Sequence, residues 1–76
     1  MADYPRVIRS TINRPDLVCQ DADHGERECC YSYGRMEDSP NEYMKVVVAY
    51  DDNGDGVVVT AYPTDKPKAG ERRLWP

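Results

Sequence analysis

Apolar and polar residues alternate in two β-branched runs, Tyr43 to Tyr50 and Val57 to Tyr62, separated by the polar stretch Asp51 to Gly56. Asn-Gly at the centre of such a pattern predicts a type I′ hairpin turn, because both residues tolerate positive φ. Centring the turn on Asn53-Gly54 pairs Tyr50 with Val57, Val48 with Val59 and Val46 with Ala61. Strand side chains alternate between faces. Met44, Val46, Val48, Tyr50, Val57, Val59 and Ala61 are therefore expected to form one core face. Tyr43, Lys45, Val47, Ala49, Val58, Thr60 and Tyr62 make the other, an aromatic and hydroxyl-bearing surface.

Upstream, Tyr4 to Asn13 predicts a short helix, with Pro5 suited to its first turn and Val7, Ile8 and Ile12 forming an apolar stripe. Pro15 ends it, since the residue before proline avoids helical geometry. Asp16 to Asp21 predicts a short strand, closed by the polar loop Asp23-His24-Gly25. Arg27 to Arg35 alternates as a second strand. Arg27, Cys29, Tyr31, Tyr33 and Arg35 lie on one side of it, and Glu28, Cys30, Ser32 and Gly34 on the other. Glu37 to Glu42, with Ser39-Pro40-Asn41, predicts an exposed loop. Residues 63–76 read as an extended, proline-spaced tail whose Leu74-Trp75 anchors it to the domain. The predicted fold is α+β, a single domain over 1–76, with a short N-terminal helix followed by a twisted antiparallel sheet of about four strands.

A chain of 76 residues buries roughly 60% of its unfolded surface and is marginally stable alone. Hydrophobic residues make up 39%, with no Phe and one Trp, so Val, Ile, Leu and Tyr must build the core and a partner or second copy would help it. No stretch approaches the ~18 apolar residues of a membrane span, and no signal-peptide run opens the chain, so a cytoplasmic protein is expected. Three cysteines with Cys29 and Cys30 adjacent fit reduced thiols better than a disulfide framework. The net charge of −4 argues against non-specific nucleic-acid binding, which draws on cations at phosphates. Arg6, Arg9 and Arg14, and Lys66, Lys68, Arg72 and Arg73 in the tail, still leave local basic patches.

Asp51, Asn53, Asp55 and Gly56 match the opening of a calcium loop. The twelfth position, which should supply a bidentate Glu, is Tyr62, and the flanks are strands. A solvated acidic hairpin tip is the expectation. Cys19, His24, Cys29 and Cys30 resemble a zinc set in composition only, because Cys29 and Cys30 point to opposite faces of a strand. Cys19 and Cys30 are expected as small core residues, with Cys29 on the open face. Neither a metal nor a cofactor is expected.

His24 is the sole histidine, the residue type most used for acid/base exchange. If the second strand turns its odd residues to the less apolar face, then Arg27, Tyr31, Tyr33, Arg35, Lys45, Thr60 and Tyr62 share a surface. Arginines there would hold a phosphate, and tyrosines would stack bases or donate to an oxyanion. A plain solvent-facing sheet favours the same residue types, so both readings stand.

Arg14-Pro-Asp-Leu-Val-Cys-Gln-Asp21, Arg27-Glu-Cys-Cys-Tyr-Ser-Tyr33, Tyr43-Met-Lys-Val-Val-Val48, Val57-Val-Val-Thr-Ala-Tyr-Pro63 and the closing Leu74-Trp75 resemble small phage- and bacteria-associated members of the RelE-like, barnase–EndoU–colicin–RelE nuclease superfamily. That resemblance implies a toxin-like domain that cleaves RNA on its open sheet face by metal-independent acid/base chemistry. Thr60 and Tyr62 match the polar residues of the family's last strand, and Arg27 the basic residue opening its middle strand. His24 is a candidate base by chemistry, Tyr31 joins the catalytic set, and Tyr33, Arg35 and Lys45 would bind substrate. The chain departs from the family in its short helix and its acidity. The alternative is a non-catalytic protein-interaction module using the sheet face or edge. Expected partners are accordingly RNA, an antitoxin or another protein. A homodimer is also expected, pairing through the Asp16–Asp21 strand and burying Leu74 and Trp75.

Overall fold

Helix α1 (Tyr4–Asn13) begins beside Pro5 and stops before Pro15; Arg14 N still donates to Ser10 O at 2.9 Å. Val7 and Thr11, one turn apart, face the sheet and are buried. Thr11 Oγ1 bonds Val7 O at 2.7 Å and Ser32 Oγ at 2.5 Å, so the buried hydroxyls satisfy each other. Ile12, expected on the apolar stripe, is exposed. The structure, a computed structural model, describes residues 4–38 and 40–75, which leaves Ser39 of the expected loop outside the described residues.

Five strands follow: β1 (Leu17–Gln20), β2 (Arg27–Tyr33), β3 (Tyr43–Tyr50), β4 (Gly56–Thr64) and β5 (Arg72–Trp75). They form one sheet in the order β4-β3-β2-β1-β5, with every neighbouring pair antiparallel. The α+β expectation holds, with five strands in place of about four. The extra strand comes from the tail, which crosses the sheet and pairs β5 with β1. Leu74 and Trp75 are therefore held by backbone pairing, and their side chains stay exposed. The strand expected at Asp16–Asp21 is interior, so it offers no edge to a second copy; the edges are β4 and β5.

The hairpin departs from expectation at two points. Asp51 N donates to Asp55 O and Gly54 N to Asp51 O, each at 3.0 Å. Only Gly54 has positive φ (84°) there. The loop is thus a three-residue turn with glycine in the left-handed position, and Asn53 does not take positive φ as a type I′ turn would require. Second, the register shifts between Val47 and Val48: Val48 faces Val58, while Val47 faces Thr60. This β-bulge inserts one residue on β4 and reverses its alternation toward the turn. Val46 does pair with Ala61, but Tyr50 meets Gly56 and Val48 meets Val58. Val57 and Val59, expected in the core with Val46 and Val48, are exposed.

Both faces of the central strands are covered. On the α1 side, Val7, Cys30, Met36, Met44, Val46 and Val48 form the core. On the other, Cys19, Cys29, Tyr31 and Val47 form a second cluster against Leu17 and Tyr43. Cys29, expected on an open face, is fully buried. Among the described residues no helix is long and apolar enough to cross a membrane.

Candidate functional site

The second face of the sheet carries most of the side chains singled out from the sequence. Strand pairing sets Tyr31, Lys45 and Tyr62 in one row, Cys29, Val47 and Thr60 in the next, and Arg27 opposite Ala49 at the far end. Tyr33 and Tyr43 close the near end, their rings edge-on at 4.9 Å. The face is not open, because the connection from β4 to β5 crosses it and drops Glu71 into the middle.

Glu71 is the residue that the sequence did not point to. Its carboxylate accepts a hydrogen bond from the Tyr31 hydroxyl and lies 2.7 Å from Lys45 Nζ. Lys45 also sits 5.7 Å from the ring centroids of both Tyr31 and Tyr62, within cation–π range. Burial, reinforced by the Glu71 carboxylate, raises the Tyr31 phenol's pKa. Burial alone would lower that of the Lys45 ammonium, but its hydrogen bond to Glu71 outweighs this and the net shift is upward. Burial first and the Glu71 charge second push the neighbouring Cys29 thiol up to about 12. At neutral pH the phenol and thiol keep their protons and Lys45 keeps its charge. None is poised for proton transfer, which works best when the pKa lies near the working pH.

The remaining candidates stand apart from this cluster. His24, in the β1–β2 loop, is half exposed with Nδ1 3.8 Å from Glu26 Oε1. Arg27 Nε lies 3.9 Å from the same carboxylate oxygen. Four residues along β2 separate Arg27 from Tyr31, about 13 Å at strand rise. Thr60 is exposed on β4, and Tyr62 is half exposed beside Lys45. Arg35 lies beyond β2 and bonds Ser10 O, Ser10 Oγ and Arg14 O at the end of α1. It braces the helix and does not join the other candidates. The expected surface is thus divided into a buried Tyr31–Glu71–Lys45 cluster, a loop pair at His24 and Arg27, and a separate helix brace. Each of the three has its own carboxylate or backbone partners, and they do not converge on one atom.

A shallow groove of about 280 Å³ opens beside Lys45 and Tyr62, with Thr64, Asp65, Lys66 and Lys68 on its rim. The acidic hairpin tip spends Asp51 on its own backbone: Asp51 Oδ1 accepts from Asn53 N and Asp55 N, each at 2.9 Å. Cys19 and Cys29 are opposed on one face and Cys30 lies on the other. Among the described residues no three His, Cys, Asp or Glu side chains gather to hold a metal.

The β4 edge is largely uncovered from Gly56 to Thr60. Its nine residues, Gly56 to Thr64, include no charged side chain. Val57, Val58 and Val59 are 66%, 44% and 45% exposed. The β5 edge differs, since it opens with Arg72 and Arg73, and charge is a common guard of a sheet edge. Compared with known protein families, with curated proteins and with solved structures, the chain matches none of them.

Proposed function

We propose that this chain is a non-catalytic protein-interaction module that docks a partner strand along β4. The observation that carries the reading is an uncharged nine-residue edge strand bearing three consecutive exposed valines. Every edge strand presents unpaired N–H and C=O groups along one side, and an added strand both pairs them and covers the neighbouring side chains. Pro63 lacks an N–H, so the pairing segment ends at Tyr62. The buried Tyr31–Glu71–Lys45 cluster closes the second face and serves the fold.

Two experiments test this. Purified protein incubated with mixed RNA in EDTA should leave the RNA intact. Cleavage that Arg27→Ala and His24→Ala abolish would replace the reading with that of a toxin-like ribonuclease. In cells, a photo-crosslinking side chain at Val57 should capture protein, whereas the same group at Asn13, exposed on α1, should not. Equal capture at both positions would remove β4 from its role.

A further inference from the structure

We infer that Asn53 is a site of spontaneous covalent modification, in which its side chain closes onto the backbone of Gly54 as a succinimide that water opens to an aspartyl or isoaspartyl residue. The inference is independent of the reading of β4. Ring closure requires that the backbone nitrogen after the asparagine be unshielded and that the turn let it reach the side-chain carbon. Asn53 is exposed at the hairpin tip and is followed by glycine. Even a Cβ at Gly54 would meet no atom within 4 Å, so nothing crowds the attacking nitrogen. Glycine also takes either sign of φ without strain, and the residue that must rotate is therefore the one that rotates most freely.

Gly54 N gives its proton to hydroxide and attacks Asn53 Cγ. A C–N bond forms and the Cγ–Nδ2 bond breaks. The leaving nitrogen takes a proton from water and departs as ammonia, which regenerates the hydroxide. Water then cleaves the imide. Breaking the new Cγ–N bond gives aspartate on the original backbone. Breaking the original peptide bond instead routes the chain through Cβ and Cγ, and the isoaspartyl turn is one backbone carbon longer. One contact opposes closure: Gly54 N donates to Asp51 O at 3.0 Å. That bond lies in a turn exposed from Asp51 to Gly56, and such bonds open locally without global unfolding. Asn13 and Asn41 are exposed too, but they precede Arg14 and Glu42, whose side chains shield the nitrogen.

Peptide-resolved mass spectrometry of the full chain, aged at mildly alkaline pH with and without guanidinium chloride, tests the assignment. Amide-to-acid conversion at Asn53 in the native chain should run within about ten-fold of its rate in denaturant, the most that one hydrogen bond of ordinary net strength withholds. Asn13 and Asn41 should stay intact over the same time. A protein isoaspartate methyltransferase should methylate the aged chain and leave fresh chain unlabelled. Gly54→Ala should slow conversion several-fold in denaturant, where the fold plays no part, and Asn53→Gln should remove it. A native rate below the ten-fold limit would show that the Asp51 contact holds the turn shut and would overturn the inference. Conversion of Asn13 or Asn41 as fast as Asn53 would overturn it as well.

Discussion

Lys45 and Glu71, separated by most of the second half of the chain, meet at 2.7 Å with side chains only 5% and 2% exposed. The pair ties the crossing segment to the centre of the sheet, and the Tyr31 hydroxyl donates to the same carboxylate. One contact thus fixes the path by which the tail reaches β1.

Removing one partner of a buried ion pair strands the other without water or a counter-charge. Glu71→Ala should destabilise the fold by about 3–5 kcal/mol, while the double change Lys45→Met with Glu71→Leu should cost less than either single change. Urea denaturation midpoints compared at equal slope give the answer. A double variant as unstable as the sum of its singles would contradict the coupling.

The same cluster sets an alkaline limit on stability. Tyr31, Lys45 and Cys29 all have pKa values raised in the folded state, so the folded chain holds these protons more tightly than the unfolded one. Their contribution is complete below the ordinary thiol value of 9.0 and is lost as pH rises through the folded values. Urea midpoints should hold steady from neutrality toward that value and fall above it, and Tyr31→Phe should shallow the fall. A midpoint that rises with alkaline pH would run against the account.

Thiol chemistry gives an independent check on the two covered faces. Cys19, Cys29 and Cys30 are buried on opposite sides of the sheet, and thiols deprived of thiolate character react slowly. A colorimetric disulfide reagent at neutral pH should label none of them until denaturant is added. Rapid labelling of Cys29 in native protein would mean that the crossing segment does not cover its face.

The turn makes a local prediction. Gly54 has φ of 84°, so Gly54→Ala should cost about 1–2 kcal/mol. Gly25 lacks positive φ, and a Cβ there meets no atom within 4 Å, so Gly25→Ala should cost less than about 0.5 kcal/mol. Thermal melts of the two variants separate these outcomes.

Much of the fold was legible because its elements obey simple periods. Pro5 and Pro15 bracket the helix, and the alternation of β2 and β3 places Cys30, Met44, Val46 and Val48 on the α1 side. The bulge between Val47 and Val48 was not legible. Val57, Val58 and Val59 are chemically alike, so nothing in the run marks which of them is the extra residue. The candidate site was harder still. The strand pattern places Tyr31 and Lys45 on one surface, but their burial depends on Glu71, a long-range partner set in a proline-spaced segment with no periodicity. β5 carries no sequence signal for a related reason: Arg72-Arg73-Leu74-Trp75 lacks an apolar face and is ordered by backbone pairing to β1.

Residue-resolved amide hydrogen exchange on the full chain tests the central claim most directly. The account predicts that the β4 amides directed away from β3 exchange rapidly, while the amides of β2 and β3 are protected. Protection of every amide from Gly56 to Tyr62 would contradict an edge open to a partner strand.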